Sequence, residues 1–242
     1  MSCSKEDDVA VISTKHGDMV VEFYPDVAPM HVESFIALAE DGYFNGTTFH
    51  RVIPGFVIQG GDPNSKLDNR ALHGTGGRAG KFFGLGDEND PNSWLIPAEF
   101  NDIPHTKGIL SMARTNDPHS ASAQFFINLK DNAFLDFKSE TTQGWGYCVF
   151  GKVIEGIETI DKIASVDTGS YGPHQDVPKE PVIIKEIDES DAMSVALIEN
   201  IQREQLNPIE EALALARLVN EFSMTHAKVA TSIGKSRATV SN

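Results

Sequence analysis

Arg51, Phe56 and Gln59 put a cation, an aromatic ring and a carboxamide on two short adjoining segments of FHRVIPGFVIQGGD, Phe49 to Asp62. A guanidinium set beside apolar surface can aim a hydrogen bond into a dry pocket. An amide dipole feels it far more strongly there than in water. The bland alternative is a hairpin whose arginine pairs with one of the many acidic side chains. Residue types and spacing leave both readings open.

Either reading needs a frame, and the flanking sequence predicts one. Thr48 to Ile53 reads as a strand, Pro54-Gly55 as a turn and Phe56 to Ile58 as a second strand. Gly60-Gly61 then permits a turn or a close backbone approach. Val9 to Ser13 and Met19 to Phe23 read as a strand pair around the polar turn Lys15-His16-Gly17-Asp18. Ile109 to Ala113, Phe125 to Leu129, Tyr147 to Val153 and Val182 to Ile187 read as further strands. Val32, Phe35, Ile36 and Ala39 recur at helical spacing within His31 to Asp41, with Gly42 as the stop, and Ile157 to Ile163 reads as a short amphipathic helix. Many short strands, two helices and little βαβ signal predict a mainly β fold, an antiparallel closed barrel.

The stretch from Pro63 to Pro97 is rich in Gly, Asn, Asp and Pro and reads as a long loop, either functional or disordered. Within it, GTGG (Gly74 to Gly77) suits a close backbone approach. Asp87-Glu88-Asn89-Asp90 imitates a calcium loop, but its spacing is not that of an EF-hand and no terminal glutamate is correctly placed. No metal or cofactor is expected.

The 242 residues suit one domain of ordinary size plus an appendage. A net charge of −15 argues against nonspecific attraction to nucleic acid or anionic membrane. Cys3 and Cys148 form no disulfide framework and no zinc pattern. The N-terminus lacks the basic and apolar regions of a signal peptide, and no apolar run is long enough to span a bilayer. A cytoplasmic protein with no membrane partner is the expectation.

FHRVIPGFVIQGGD resembles the signature of cyclophilin-type peptidyl-prolyl isomerases. Co-linear blocks extend the resemblance from Asp8 to Ile187: GTGG, GILSMART (Gly108 to Thr115), SAQFFI (Ser122 to Ile127), FLD (Phe134 to Asp136) and VFGKV (Val149 to Val153). The pattern is similar to bacterial members. The resemblance implies an eight-stranded barrel capped by two helices, its interior filled with side chains and its substrate groove on the outer face. It also implies the chemistry. An X–Pro amide isomerises over about 18–20 kcal/mol because its C–N bond has double-bond character. Twisting localises a lone pair on the prolyl nitrogen, and a donor aimed there stabilises the twisted state selectively. Arg51 is the implied donor, with Gln59 and Phe56 completing the catalytic set. Phe56, Val57, Phe126 and Leu135 would hold the proline ring. His50, Ala113, Arg114, Gln124, Phe134 and Tyr147 would bind the rest of the peptide. Alternate strand residues face opposite sides, so of Phe125 and Phe126 only one can face the groove, and Phe125 is expected in the core.

Three departures from the best-known eukaryotic pattern stand out. Phe134 replaces a tryptophan, Tyr147 a histidine and Arg114 an asparagine. Proline-containing polypeptides are the expected partners, with only weak cyclosporin binding.

Beyond about Ile187 the sequence changes character. Asp188-Glu189-Ser190-Asp191 is an acidic junction, and the rest reads as a small all-α tail. Asn207-Pro208-Ile209-Glu210 suits a helix start, and Ile209, Ala212, Leu213, Ala216, Val219 and Phe222 would form one apolar face. Thr225 and Ser236 can each cap a further short helix, with Val229, Ala230 and Ile233 inward, which suggests a helix-turn-helix. ALIENIQREQLNPIEEA (Ala196 to Ala212) and GKSRATVSN (Gly234 to Asn242) resemble the DNA-binding region of ParB-type partition proteins. That family's remaining phosphate motifs and the helices that would pack on the recognition helix are missing here. The expected division is a cyclophilin-like domain over 8–188 and an incomplete ParB-like segment over 189–242, with no DNA binding expected of the tail. Two other readings remain: a proline-peptide binding module without useful turnover, and a DNA-associated fusion protein.

Overall fold

The structure, a computed structural model, describes residues 9–142 and 144–188, and in the C-terminal region 212–216, 219, 229, 230 and 233. The chain divides into two compact units, Met1–Ile187 and Asp188–Asn242.

In the first unit the strands are β1 (Val9–Thr14), β2 (Gly17–Phe23), β3 (Arg51–Ile53), β4 (Val57–Gly60), β5 (Ile109–Met112), β6 (Phe125–Asn128), β7 (Val149–Glu155), β8 (Thr168–Tyr171), β9 (His174–Pro178) and β10 (Ile184–Asp188). Eight of them form one strongly curled antiparallel sheet in the order β10-β1-β2-β7-β5-β6-β4-β3. The bridge Thr48↔Ile183 ties the sheet's two ends together, with Phe49 N–H donating to Val182 O and Ile184 N–H to Thr47 O. The expected strand at Thr48 is therefore a barrel-closing bridge, and regular strand begins only at Arg51. Phe56, expected at a strand start, sits in the turn, its N–H donating to Ile53 O.

Two helices accompany the sheet, α1 (Pro29–Glu40) and α2 (Ile157–Ala164). Proline begins α1, where its missing N–H costs nothing. The next two amides, Met30 and His31 N–H, donate to Glu99 far along the chain, at 3.1 and 3.0 Å. Burial pushes the Glu99 carboxyl up, but these bonds and one from the His31 ring outweigh it and hold it below its ordinary value. At the other end Gly42 adopts φ 65° and donates to Ala39 O, while Tyr43 N–H reaches Leu38 O, the expected glycine stop.

Phe35 of α1 is fully buried at the centre of an aromatic cluster with Phe23, Phe44, Phe125 and Phe150, ring centroids 4.9–5.4 Å away. The period-2 pattern sends Phe125 into this core and Phe126 to the opposite side. The sequence reading did not anticipate the β8–β9 hairpin. Its strands are polar and lack an alternating pattern. Arg70 holds it by donating to Pro178 O (2.9 Å) and Lys179 O (3.0 Å) with its guanidinium over the Tyr171 ring.

In the second unit Val229, Ala230 and Ile233 are buried, on the side expected of them. The face drawn through Ala212, Leu213 and Ala216 needs correction. Those three are exposed and Leu215 is buried instead, so the buried stripe is rotated from the one expected. The cap at Asn207-Pro208 and the helix after Ser236 lie outside the described residues. Among the described residues no helix is long and apolar enough to cross a membrane.

Candidate active-site groove

Strand pairing brings the polar side chains together. Arg51 on β3 faces Gln59 on β4, and Gln59 in turn faces Phe126 on β6. Arg51 and Gln59, eight apart in sequence, thus become cross-strand neighbours. The Arg51 guanidinium donates to Gln59 Oε1 at 3.4 Å. Gln59 Nε2 donates to Gln124 Oε1 at 3.0 Å, and Gln124 Nε2 donates to Gly76 O at 2.7 Å. This relay fixes both amides' orientations, because the chain of donors runs one way and ends on a carbonyl. Among the described residues Arg51 pairs with no carboxylate, which disfavours the hairpin-with-ion-pair alternative.

The relay's end point depends on a buried carboxylate. Asp62, fully buried, accepts Gly74 N–H, Gly76 N–H and Asn64 N–H. A Cβ on Gly76 would stand 2.7 Å from Asp62 Oδ1 and 2.8 Å from Asn64 Nδ2, so GTGG needs glycine there for close approach. Gly61 is equally constrained: its φ is +85° and a Cβ would lie 2.4 Å from Ala123 O.

Facing this polar wall is an apolar one. Val57, Phe126 and Leu135 form a buried cluster of their own, flanked by Phe56, Ala113 and Tyr147. Leu135 and Phe134 ride on a 3-10 turn over Ala133–Leu135. The Phe134 ring, 65% exposed, lies flat on Phe56 with centroids 5.6 Å apart. Tyr147 meets Phe126 edge-on at 5.2 Å. Arg114 is committed to the protein: its Nε donates to Gly146 O, its Nη1 to Thr115 O, and its guanidinium covers the Tyr147 ring at 4.9 Å.

Together Arg51, Phe56, Val57, Gln59, Ala113, Arg114, Phe126, Phe134, Leu135 and Tyr147 line one groove of about 430 Å³. Two expected site residues are not among them. Gln124 is buried beneath Gln59 and reaches the groove only through it. His50 precedes the regular strand and is buried; it lines an adjoining cavity that Arg51 and Gln59 also border. Burial pushes its pKa down to about 4, against the opposing influence of Asp62. Sequence reasoning also missed Asn132, whose Nδ2 donates to Phe56 O (3.1 Å) and Asn128 Oδ1 (2.8 Å) beneath the groove. An isolated Asn in a turn-rich stretch carries no signal for that role. The Cys148 thiol is pushed up to about 12 by burial and is no thiolate at neutral pH. Asp87 and Asp90 spend their carboxylates on the N–H groups of Asn89 and Asn92 in local turns.

Comparison with known proteins gives the same assignment along the whole first unit. Residues 9–189 match the family model for cyclophilin type peptidyl-prolyl cis-trans isomerase/CLD, and residues 204–242 match that for the ParB HTH domain. The chain is similar to peptidyl-prolyl cis-trans isomerase B of Escherichia coli (strain K12), 45% identical over 174 residues, covering 72% of this chain and 94% of that protein. It is similar to peptidyl-prolyl cis-trans isomerase cyp18 of Streptomyces antibioticus, 43% identical over 177 residues and covering 72% and 93%. Among solved structures it resembles a cyclophilin type isomerase of Cryptosporidium parvum, crystallised in the presence of the dipeptide Ala-Pro. The TM-score is 0.59 at 30% identity, covering 74% of this chain and 97% of that one.

Proposed function

The chain belongs to the cyclophilin-type peptidyl-prolyl cis-trans isomerases, and we propose that it lowers the X–Pro barrier with Arg51 as the donor to the prolyl nitrogen. The observation that carries this reading is the groove's lining. The Arg51 guanidinium donor and the buried apolar cluster Val57, Phe126 and Leu135 line one and the same groove. Phe126, Leu135 and Val57 hold the proline ring while the carbonyl side of the bond turns. As the amide twists, its nitrogen gains a localised lone pair, and the hydrogen bond from Arg51 strengthens only then. Gln59 keeps the guanidinium aimed and offers its amide to the substrate carbonyl region. Lowering the barrier by about 5–7 kcal/mol corresponds to roughly 10⁴–10⁵-fold acceleration.

The substrates are X–Pro segments of folding polypeptides in the cytoplasm. Cyclosporin binds weakly, and the C-terminal segment does not bind DNA. This last reading rests on the tail's near-neutral charge, since phosphate contacts dominate such affinity.

Arg51→Ala tests the mechanism in a protease-coupled proline-peptide assay. It lowers kcat/KM at least about 100-fold, some 3 kcal/mol of transition-state stabilisation, with an unchanged circular dichroism spectrum. Activity within threefold of wild type sinks the role given to Arg51.

A further inference from the structure

Behind the apolar wall lies a side chain that the groove itself never meets. His105 is 1% exposed, and its ring is stacked against the hidden side of Phe126, near-parallel at 15° with centroids 6.2 Å apart. Its Nδ1 and its backbone N–H both lie 2.8 Å from one oxygen, Asp136 Oδ1. Asp136 directly follows Leu135, at the C-terminal end of the 3-10 turn that carries Phe134 and Leu135 into the groove. The same two segments meet twice more. Asn132 N–H donates to His105 O at 2.8 Å, and Lys107 N–H donates to Asp131 Oδ1 at 3.2 Å. The turn is thus gripped at both ends by the segment around His105.

The turn has few means of its own to hold this position. It is three residues long, and its N-cap Asn132 makes no side-chain capping bond. Such turns have poor internal hydrogen-bond geometry and take their shape from what surrounds them. Burial holds His105 below its ordinary value against the pull of Asp136, so the ring is neutral and carries a single N–H. That proton belongs on Nδ1, facing the carboxylate. Nε2 is buried without a hydrogen-bond partner among the described residues, so a second proton there would find no acceptor.

We propose that His105 is a positioning residue for the isomerase: it fixes Phe126 by stacking and the Phe134–Leu135 turn through Asp136, so that the proline slot is formed before substrate arrives. A preformed slot lowers the ordering cost of binding, so the clamp acts on affinity and leaves the Arg51 chemistry alone. The inference rests on Phe126 and Leu135 being the proline slot.

The test uses the full chain and a tetrapeptide containing Ala-Pro, with its affinity and its exchange rate on the enzyme both read by NMR line shape. His105→Phe keeps an aromatic ring but no donor, and Asp136→Ala removes the acceptor at a partly exposed position, where folding is safe. Each weakens peptide affinity about tenfold while the bound exchange rate stays within threefold. The double variant is no weaker than either single, because both break one contact. Asp136→Asn, which keeps the accepting oxygen, stays within twofold of wild type. A lowered melting temperature with unchanged affinity overturns the proposal, as do multiplying losses in the double variant or an Asn variant as weak as Ala. Phe126→Ala, measured alongside, separates the two levels. If it too leaves affinity unchanged, the slot assignment has failed. If it alone loses affinity, only the role of His105 has.

Discussion

Arg51 and Gln59 stand opposite each other on paired strands, and their end groups are joined by a relay of amides to Gly76 O. Phe134 and Leu135, which line the same groove, stand on one 3-10 turn whose flanking residues are hydrogen-bonded elsewhere, Asp136 to His105 and Asn132 to Phe56 O. Ladder pairing sets the first wall to within a residue, because a one-residue slip would turn every side chain to the wrong face. In the second wall Val57 and Phe126 stand on β4 and β6, but the turn that carries Phe134 and Leu135 has no ladder, and long-range side-chain bonds replace it there. In the proposed mechanism the two walls also act at different stages: the polar one as the amide twists, the apolar one as the proline ring is first bound.

That difference in stage is the most severe test. Phe126→Ala is expected to destabilise the fold by about 3–5 kcal/mol, the usual range for truncating a buried aromatic. In the fraction that remains folded at low temperature, affinity for the Ala-Pro peptide falls at least about 30-fold. The exchange rate of bound peptide falls far less. Arg51→Ala shows the reverse pattern, a rate loss with affinity nearly kept. The two variants giving the same kinetic pattern would erase the distinction between the walls.

His50 and Arg51 are adjacent on the chain, but His50 is buried and Arg51 exposed. His50 is neutral in the folded state, with a pKa of about 4 against an ordinary 6.5. The unfolded chain therefore binds more protons between those values, and stability rises with pH across that window. It is complete above about pH 6.5, falls as pH drops, and the loss levels off below about 4, at up to roughly 3 kcal/mol. His16 and His105 are also lowered, so they add the same sign. Urea-unfolding midpoints at pH 7.5, 6 and 5 should fall in wild type and fall less in His50→Asn. An identical slope in that variant would mean His50 titrates normally.

How much of this was legible in the sequence follows the same division. Strand positions carried Arg51, Gln59 and Phe126: a period of two separates Phe126 from Phe125, and the FHRVIPGFVIQGGD signature marked the hairpin. His50 precedes the regular strand, so the period does not place it. The turn residues were found through the FLD motif and not through any pattern, because a three-residue 3-10 turn has no periodicity to read. His105, Asn132 and the β8–β9 hairpin left no local signal at all. Their roles come from partners dozens of residues away.

Gln124→Leu probes the polar wall at its hidden end. It removes the acceptor for Gln59 and the donor to Gly76 O together. A buried amide group left unpaired costs about 1–3 kcal/mol, part of it recovered as Gln59 turns to water. The expected result is a loss of about tenfold in kcat/KM, nearly all in kcat, since the proline slot is untouched. A loss confined to KM would place Gln124 among groups that contact the peptide, and an unchanged rate would make the relay incidental to catalysis.

The smallest expected effect on catalysis comes from Phe134→Trp, at the rim of the apolar wall. Phe134 is mostly exposed and lies flat over Phe56, so a larger ring meets no closed packing and forces no strain. The buried cluster of Val57, Phe126 and Leu135, the proposed proline slot, keeps its shape, and peptide turnover should stay within twofold of wild type. The indole adds an N–H donor that phenylalanine lacks, on a similar apolar body. One added neutral hydrogen bond is worth roughly 0.5–1.5 kcal/mol, or up to about tenfold in affinity. Cyclosporin, proposed to bind the wild-type chain weakly, should therefore inhibit the Trp variant about tenfold better in a titration of isomerase activity. Tight inhibition of the wild type, or no gain in the variant, would remove Phe134 from the position that a donor occupies at this rim. A large loss of turnover would show instead that the rim, and not only the buried slot, sets how the proline ring is held.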